Sequence, residues 1–182
     1  MLINLTKLPA DILSAALDYW VNIKTSDLVV VPFPGELGNR IIQDHDISDE
    51  VGLKSKGMDF RLTECRSCMK LIHPNNPIIV NYISLFKDNF NIVNYSGCHY
   101  MDVNGFIQWH TNQHERPGFN YRLYVTFNEK SGSVFKYILP GTNEVITFAE
   151  PTGWYAKLFS IEDEFLHCVK ANGPRYSFGL FF

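Results

Sequence analysis

Trp109-His110-Thr111-Asn112, then Leu166-His167-Cys168-Val169, then Arg175-Tyr176-Ser177: the reading of these pieces decides how the chain folds. Imidazoles so far apart in sequence meet only if the strands between them fold back on one another into a barrel. The intervening sequence has the texture of such strands. Candidates are 91–95, 99–103, 106–110, 121–128, 133–138, 144–148, 154–161, 166–169 and 175–182. Gly105, Pro117-Gly118, Ser131-Gly132, Pro140-Gly141, Pro151-Thr152-Gly153 and Gly173-Pro174 punctuate them. Many short strands at close spacing predict a sandwich or barrel.

Upstream the pattern is different. Pro9 suits a first helical turn, and Leu13, Ala16, Leu17, Trp20 and Val21 fall on one face at helical spacing, as a core stripe does. Asp27-Leu28-Val29-Val30-Val31 reads as a strand stopped by Pro32 and Pro34-Gly35. Residues 36–75 read as loops and short strands. Asn76-Pro77 starts a second helix, with Ile79, Ile83 and Phe86 on one face. Helices first and strands after predict an α+β fold with helices packed on a β-core. The expectation is one domain over 1–182, in which 1–90 form a helical and extended flanking layer and 91–182 the β-core.

Composition narrows the function. A chain of 182 residues with 46% apolar and 14% aromatic content can bury a real core. The net charge is −3 and no basic run marks a nucleic-acid or membrane surface. No stretch approaches the roughly 18 apolar residues of a membrane span. Met1-Leu2-Ile3-Asn4 lacks the features of a signal peptide, so a cytoplasmic location with reduced thiols is expected. Cys65-Arg66-Ser67-Cys68 has a zinc-knuckle gap, but a structural zinc wants a second such pair, and Cys98 and Cys168 lie in strands. All four read as thiols without a catalytic role. His45 and His73 read as surface or satisfied core residues and His114-Glu115 as a solvated loop, and the facing of His99 is left open.

The histidines and the arginine make a chemical pattern. Two imidazoles and one carboxylate hold Fe(II) while leaving three positions for an oxo acid and O₂. His110 stands near a strand end, where Asn112 can turn back toward the same metal. His167 supplies the second imidazole. Arg175 can grip a carboxylate in bidentate fashion, and Ser177, two residues along the same strand, adds a hydroxyl to that face.

Through these residues, the segment 95–182 resembles the double-stranded β-helix core of the Fe(II)- and 2-oxoglutarate-dependent oxygenases. That family's pattern is His-x-Asp/Glu, a distant His, and Arg-x-Ser. Gly132-Ser133-Val134-Phe135 and Pro151-Thr152-Gly153-Trp154 resemble its strands ahead of the second histidine. Trp109-His110-Thr111-Asn112, with Pro117-Gly118 and Arg122-Leu123-Tyr124, is similar to a small subgroup associated with phage genomes. The resemblance implies a jelly-roll barrel flanked by N-terminal helices. It implies Fe(II) on His110, Asn112 and His167, and 2-oxoglutarate as co-substrate on Arg175 and Ser177, with Tyr121 and Tyr124 as further pocket residues or core.

Asn112 departs from the family's acidic ligand, and three readings stay open. It ligates weakly through its carbonyl; or Glu115 or Asp102 replaces it; or the metal site is vestigial. The expected function is hydroxylation of a protein or small-molecule substrate. Phe178-Gly179-Leu180-Phe181-Phe182 lacks the further arginine of the family's nucleic-acid demethylases. The alternative is a catalytically degenerate domain acting as a structural or interaction protein of a phage particle. That alternative carries assembly with other phage proteins, or a homo-oligomer, and a virion location.

Overall fold

The computed structural model describes residues 2–4, 10–32, 66–90, 94–110, 121–139, 141–142, 144–160 and 165–181. Helix α1 spans Ala10–Trp20 and α2 spans Pro77–Phe90. The strands are β1 Leu2–Asn4, β2 Val30–Pro32, β3 Arg66–Ile72, β4 Asn94–His110 and β5 Tyr121–Asn128. They continue as β6 Val134–Ile138, β7 Val145–Ala149, β8 Gly153–Ser160, β9 His167–Lys170 and β10 Arg175–Phe181.

The strand order is β1-β8-β5-β10-β4-β9-β6-β7, with β3 beside β4 and β2 beside β3. Apart from the parallel edge pair of β1 with β8, the pairings are antiparallel. The path is one sheet curled so that β8-β5-β10 and the first half of β4 form one wall. The second half of β4, with β9, β6 and β7, forms the other. This interleaving of early and late strands is the jelly-roll, double-stranded β-helix arrangement, and with its helices the fold is α+β.

The strands expected at 91–95, 99–103 and 106–110 are one continuous strand. Residues 94–101 pair with β10, and Phe106, Ile107 and His110 pair with β9. Gly105 bends this strand rather than ending it. The corner is made by Asn104 at φ 61, whose N–H donates to Ala171 O, while Gly105 O accepts from Ala171 N at 2.8 Å. A Cβ on Gly105 would stand 2.7 Å from Met101 Cβ, so only glycine permits the fold-over. The strand expected at 27–31 shortens to Val30–Pro32, after a 3₁₀ turn at Thr25–Asp27. Of the segment 36–75, β3 is a long strand and 36–65 lie outside the described residues.

The helices cover the outer face of the β8-β5-β10-β4 wall. Leu13, Ala16 and Trp20 of α1, and Ile79, Tyr82 and Phe86 of α2, pack on Leu123, Val125, Leu158, Phe178 and Leu180. Trp20 stacks on Phe178 with centroids 3.7 Å apart. Val21, expected on the stripe, falls just past the helix and is exposed. Asn76 caps α2 through its Oδ1, which accepts from Ile78 N at 2.9 Å. Strand alternation sends the other set of side chains between the walls. There Met101, Phe135, Phe159, Phe165, Val169 and Phe181 form the inner cluster.

Candidate functional site

A cavity of about 200 Å³ lies between the walls. Ile107, His110, Phe135, His167 and Val169 line it from the β4-β9-β6 side, and Arg122, Tyr124, Lys157, Arg175 and Ser177 from the other. Ser96, His99 and Met101 of β4 complete it, so His99 does face the cavity.

The histidines meet across a strand pair. His110 and His167 are direct partners of β4 and β9, with ring centroids 4.3 Å apart and planes inclined by 52°. Both are buried, at 8% and 3% exposure. A register shift between Ile107 and His110 lets both of these residues face the cavity although they are an odd number of positions apart. His167 Nδ1 lies 3.0 Å from Phe165 O. A carbonyl only accepts, so Nδ1 carries the hydrogen and the lone pair of the neutral ring sits on Nε2. Burial, then the neighbouring His110, pushes the His167 imidazole well below its usual basicity, which keeps that lone pair available. A ring tethered at one nitrogen with its other nitrogen basic is how metal-binding histidines are oriented.

The opposite side carries charge. Arg175 Nε donates to Glu150 Oε2 at 2.7 Å and Nη2 to Oε1 at 2.9 Å. Lys157 Nζ donates to the same Oε1 at 2.8 Å. Glu150 is 3% exposed, and the Asn128 amide beside it donates to Pro151 O at 3.0 Å. Burial alone would raise the Glu150 carboxyl, but Arg175 and Lys157 override it and hold the group below the carboxylate range. Burial pushes the Lys157 ammonium down to about 8, against the pull of Glu150. Arg175 stays charged: burial disfavours the cation, and Glu150 more than restores it. Arg122 donates to Tyr124 Oη, and its guanidinium lies 4.1 Å from the Phe181 ring centroid.

Of the residues singled out in the sequence, the cavity brings together His110, His167, Arg175, Ser177 and Tyr124. Tyr121 turns to the other face of β5 and packs against the helical cluster. Asn112 and Glu115 lie outside the described residues, as does Cys65. Asp102 sits near the Asn104–Gly105 corner, where its Oδ1 accepts from Val103 N, and is not a lining residue. Trp109, next to His110, alternates away and packs with Phe106, Ile138, Leu166 and Cys168, so it does not dry the cavity; Phe135 does. Cys98 and Cys168 are buried free thiols. Among the described residues no group of three or more His, Cys, Asp or Glu is placed to hold a metal ion. The two imidazoles fit a first-row divalent cation that takes its remaining ligands from elsewhere.

Glu150 and Lys157 carried no expectation. The signal for them was the run Trp154-Tyr155-Ala156-Lys157-Leu158-Phe159, in which a lysine amid apolar residues demands a buried acid.

No family model matches the chain, and no curated protein matches it. Solved structures do. A 2OG-Fe(II) oxygenase family oxidoreductase from Burkholderia pseudomallei aligns at 15% identity and TM-score 0.46, covering 100% of this chain and 95% of that one. A Trichoplax adhaerens prolyl hydroxylase, in complex with a hypoxia inducible factor peptide fragment, aligns at 14% identity and TM-score 0.49, covering 92% and 87%. A Pseudomonas putida prolyl-4-hydroxylase aligns at 13% and 0.43, covering 93% and 97%.

Proposed function

We propose that this chain is an Fe(II)- and 2-oxoglutarate-dependent oxygenase that hydroxylates a protein or small-molecule substrate. The observation that carries this reading is the His110–His167 pair, buried side by side with His167 tethered through Nδ1. His110 and His167 would hold the iron, with Asn112 offering an uncharged carbonyl oxygen. When bound, the iron and the oxo acid supply the oxidation, turning O₂, 2-oxoglutarate and a substrate C–H into CO₂, succinate and a hydroxylated product. The chain's own part is placement and dryness. Phe135, Phe159 and Phe165 stand against His167, with ring centroids 5.4, 5.3 and 5.5 Å away, and keep water from the imidazoles. The cations opposite, with the Ser177 hydroxyl, give the co-substrate's distal carboxylate a positive surface.

A second reading has its own observation. Glu150 already gives Arg175 a bidentate carboxylate partner, as a scaffold without co-substrate would. Anaerobic titration with Fe(II) and 2-oxoglutarate separates the two. Saturable growth of the visible charge-transfer band of a chelated oxo acid, lost in His167→Ala, supports the oxygenase. No band at millimolar additions sinks it and leaves the scaffold.

A further inference from the structure

We infer that the outer face of the β8-β5-β10-β4 wall docks an extended peptide segment carrying lysines or arginines, along a row of Trp154, Phe127, Tyr176 and Tyr100 bordered by Asp102 and Glu129. The inference goes beyond the oxygenase reading and does not depend on it, because this face is the reverse of the one that lines the cavity.

The row follows from register. Trp154 of β8 pairs with Phe127 of β5, Phe127 with Tyr176 of β10, and Tyr176 with Tyr100 of β4. Four adjacent strands thus present an aromatic ring at the same level. Alternation puts all four on the face opposite the cavity-lining Lys157, Tyr124, Arg175 and Met101. Ring centroids along the row lie 5.0, 6.2 and 5.0 Å apart. One step toward the helices, the row Ala156, Val125, Phe178 and Cys98 is wholly buried, with Trp20 stacked on Phe178. The aromatic row itself is only half-buried. Helix α1 reaches it at one end, where Trp20 stands 5.2 Å from Trp154, and Phe127 joins none of the buried clusters.

Charge selects the partner. Asp102 lies two residues beyond Tyr100 and Glu129 two beyond Phe127, so both carboxylates share the face of the row, on its side away from the helices. Glu129 N donates to Pro174 O at 3.1 Å, which carries the strand pairing that far. Burial, then Asp102, Tyr176 and Glu129, push the Tyr100 hydroxyl up to about 12, and burial, then Glu129, raises Tyr176. Among the described residues neither carboxylate has an ion-pair partner. A cation of this chain already uses the row: Lys70, the β3 partner of Tyr100, holds Nζ 5.6 Å from that ring's centroid.

The same geometry disfavours a nucleic acid. Neighbouring rings are inclined by 54°, 63° and 61°, so they offer separate faces rather than a flat platform for stacked bases, and the carboxylates repel phosphates. In an extended peptide, side chains on one face recur about every 6.6 Å, close to the spacing of the rings. Successive cationic side chains can therefore each meet a ring or a carboxylate.

The probe is a short blocked peptide with arginine at every second position, read by fluorescence anisotropy on the full chain. Its counterpart carries citrulline, which keeps the shape and loses the charge. The arginine peptide should bind saturably below about 1 mM at low salt, and the citrulline peptide at least about tenfold more weakly. Asp102→Asn/Glu129→Gln should weaken arginine-peptide binding at least about fivefold. Phe127→Leu, which keeps an apolar side chain without a ring, should weaken it about threefold. Lys70→Met vacates the Tyr100 face and removes a like charge, and should tighten binding about twofold, an effect that a row with a purely structural role would not give. Where Phe127→Leu does not fold, the carboxylate double variant and Lys70→Met decide. Absence of saturable binding by wild type, equal binding of the citrulline peptide, wild-type affinity in the folded double variant, or preference for a single-stranded oligonucleotide overturns the inference. The charge-transfer titration is read separately: peptide binding without a band leaves the docking face and removes the oxygenase reading.

Discussion

Glu150→Gln is the sharpest perturbation the structure offers, because it keeps the shape of the side chain and deletes only its charge. Wild-type Glu150 takes charge-assisted bonds of 2.7 and 2.9 Å from Arg175 and 2.8 Å from Lys157, out of contact with water. Removing one partner of a buried ion pair costs roughly 3–5 kcal/mol, mostly for the charge left behind. Here two cations are left, but they do not behave alike. Lys157, lowered by burial to about 8 even with the carboxylate present, falls further without it and gives up its proton near neutral pH. Arg175 cannot deprotonate. One orphaned charge remains, so the cost sits near the lower end, about 3 kcal/mol. For a chain of this size that is a fall in Tm of about 6–12 °C. The sign with pH follows from Lys157. Its folded value lies below its unfolded one, so the folded state binds fewer protons between the two and stability rises with pH across that window. In the variant the window opens lower on the scale, and its deficit should be greatest at pH 6 and shrink by pH 8. The assay is a set of thermal melts at those pH values for wild type, Glu150→Gln and Glu150→Gln/Arg175→Gln, the last recovering most of the loss. A Glu150→Gln melt within about 2 °C of wild type at pH 6 would refute the reasoning.

Trp20→Ala, which removes the ring stacked on Phe178 and buried under both helices, should cost about 3–5 kcal/mol in denaturant titrations. On the oxygenase reading, Asn112→Asp should tighten Fe(II) binding, read by competition with a chromophoric chelator, because an aspartate would add the neutralising anion that asparagine lacks. In acid, Glu150's contribution to stability is fully present above the ordinary carboxylate range and is lost only as pH falls through its depressed folded value; circular dichroism should therefore place its share of acid unfolding below that ordinary range.

The barrel was legible because its strands are short and alternating, and the strand expectations from Tyr121 onward match to within a residue or two. The histidine pair was legible for a related reason: imidazoles so far apart in sequence meet only where the strands between them fold back, and β4 and β9 do pair them. What was hidden depends on tertiary geometry. Gly105 looked like a stop, yet glycine here permits a tight fold-over within a single strand. Tyr121 stayed open between pocket and core because alternation alone decides its side, and an uncertain strand start leaves that phase open. Arg175 was read with its neighbour along the strand, Ser177, and its bonds to Glu150, which lies on a different strand connection, had no signal beside it in the sequence.

The position of β10 has a consequence for how this molecule comes into being. The last described strand is not at an edge but is wedged between β4 and β5, paired along its length with both. On a ribosome, β4 and β5 must wait with open flanks until residues beyond Arg175 have cleared the exit tunnel. The wall that carries the helices therefore closes late, through contacts spanning much of the chain, which favours slow folding. During that wait the unpaired edges are templates for other chains. A nascent or truncated chain ending before Phe181 is thus an aggregation hazard rather than a smaller working protein.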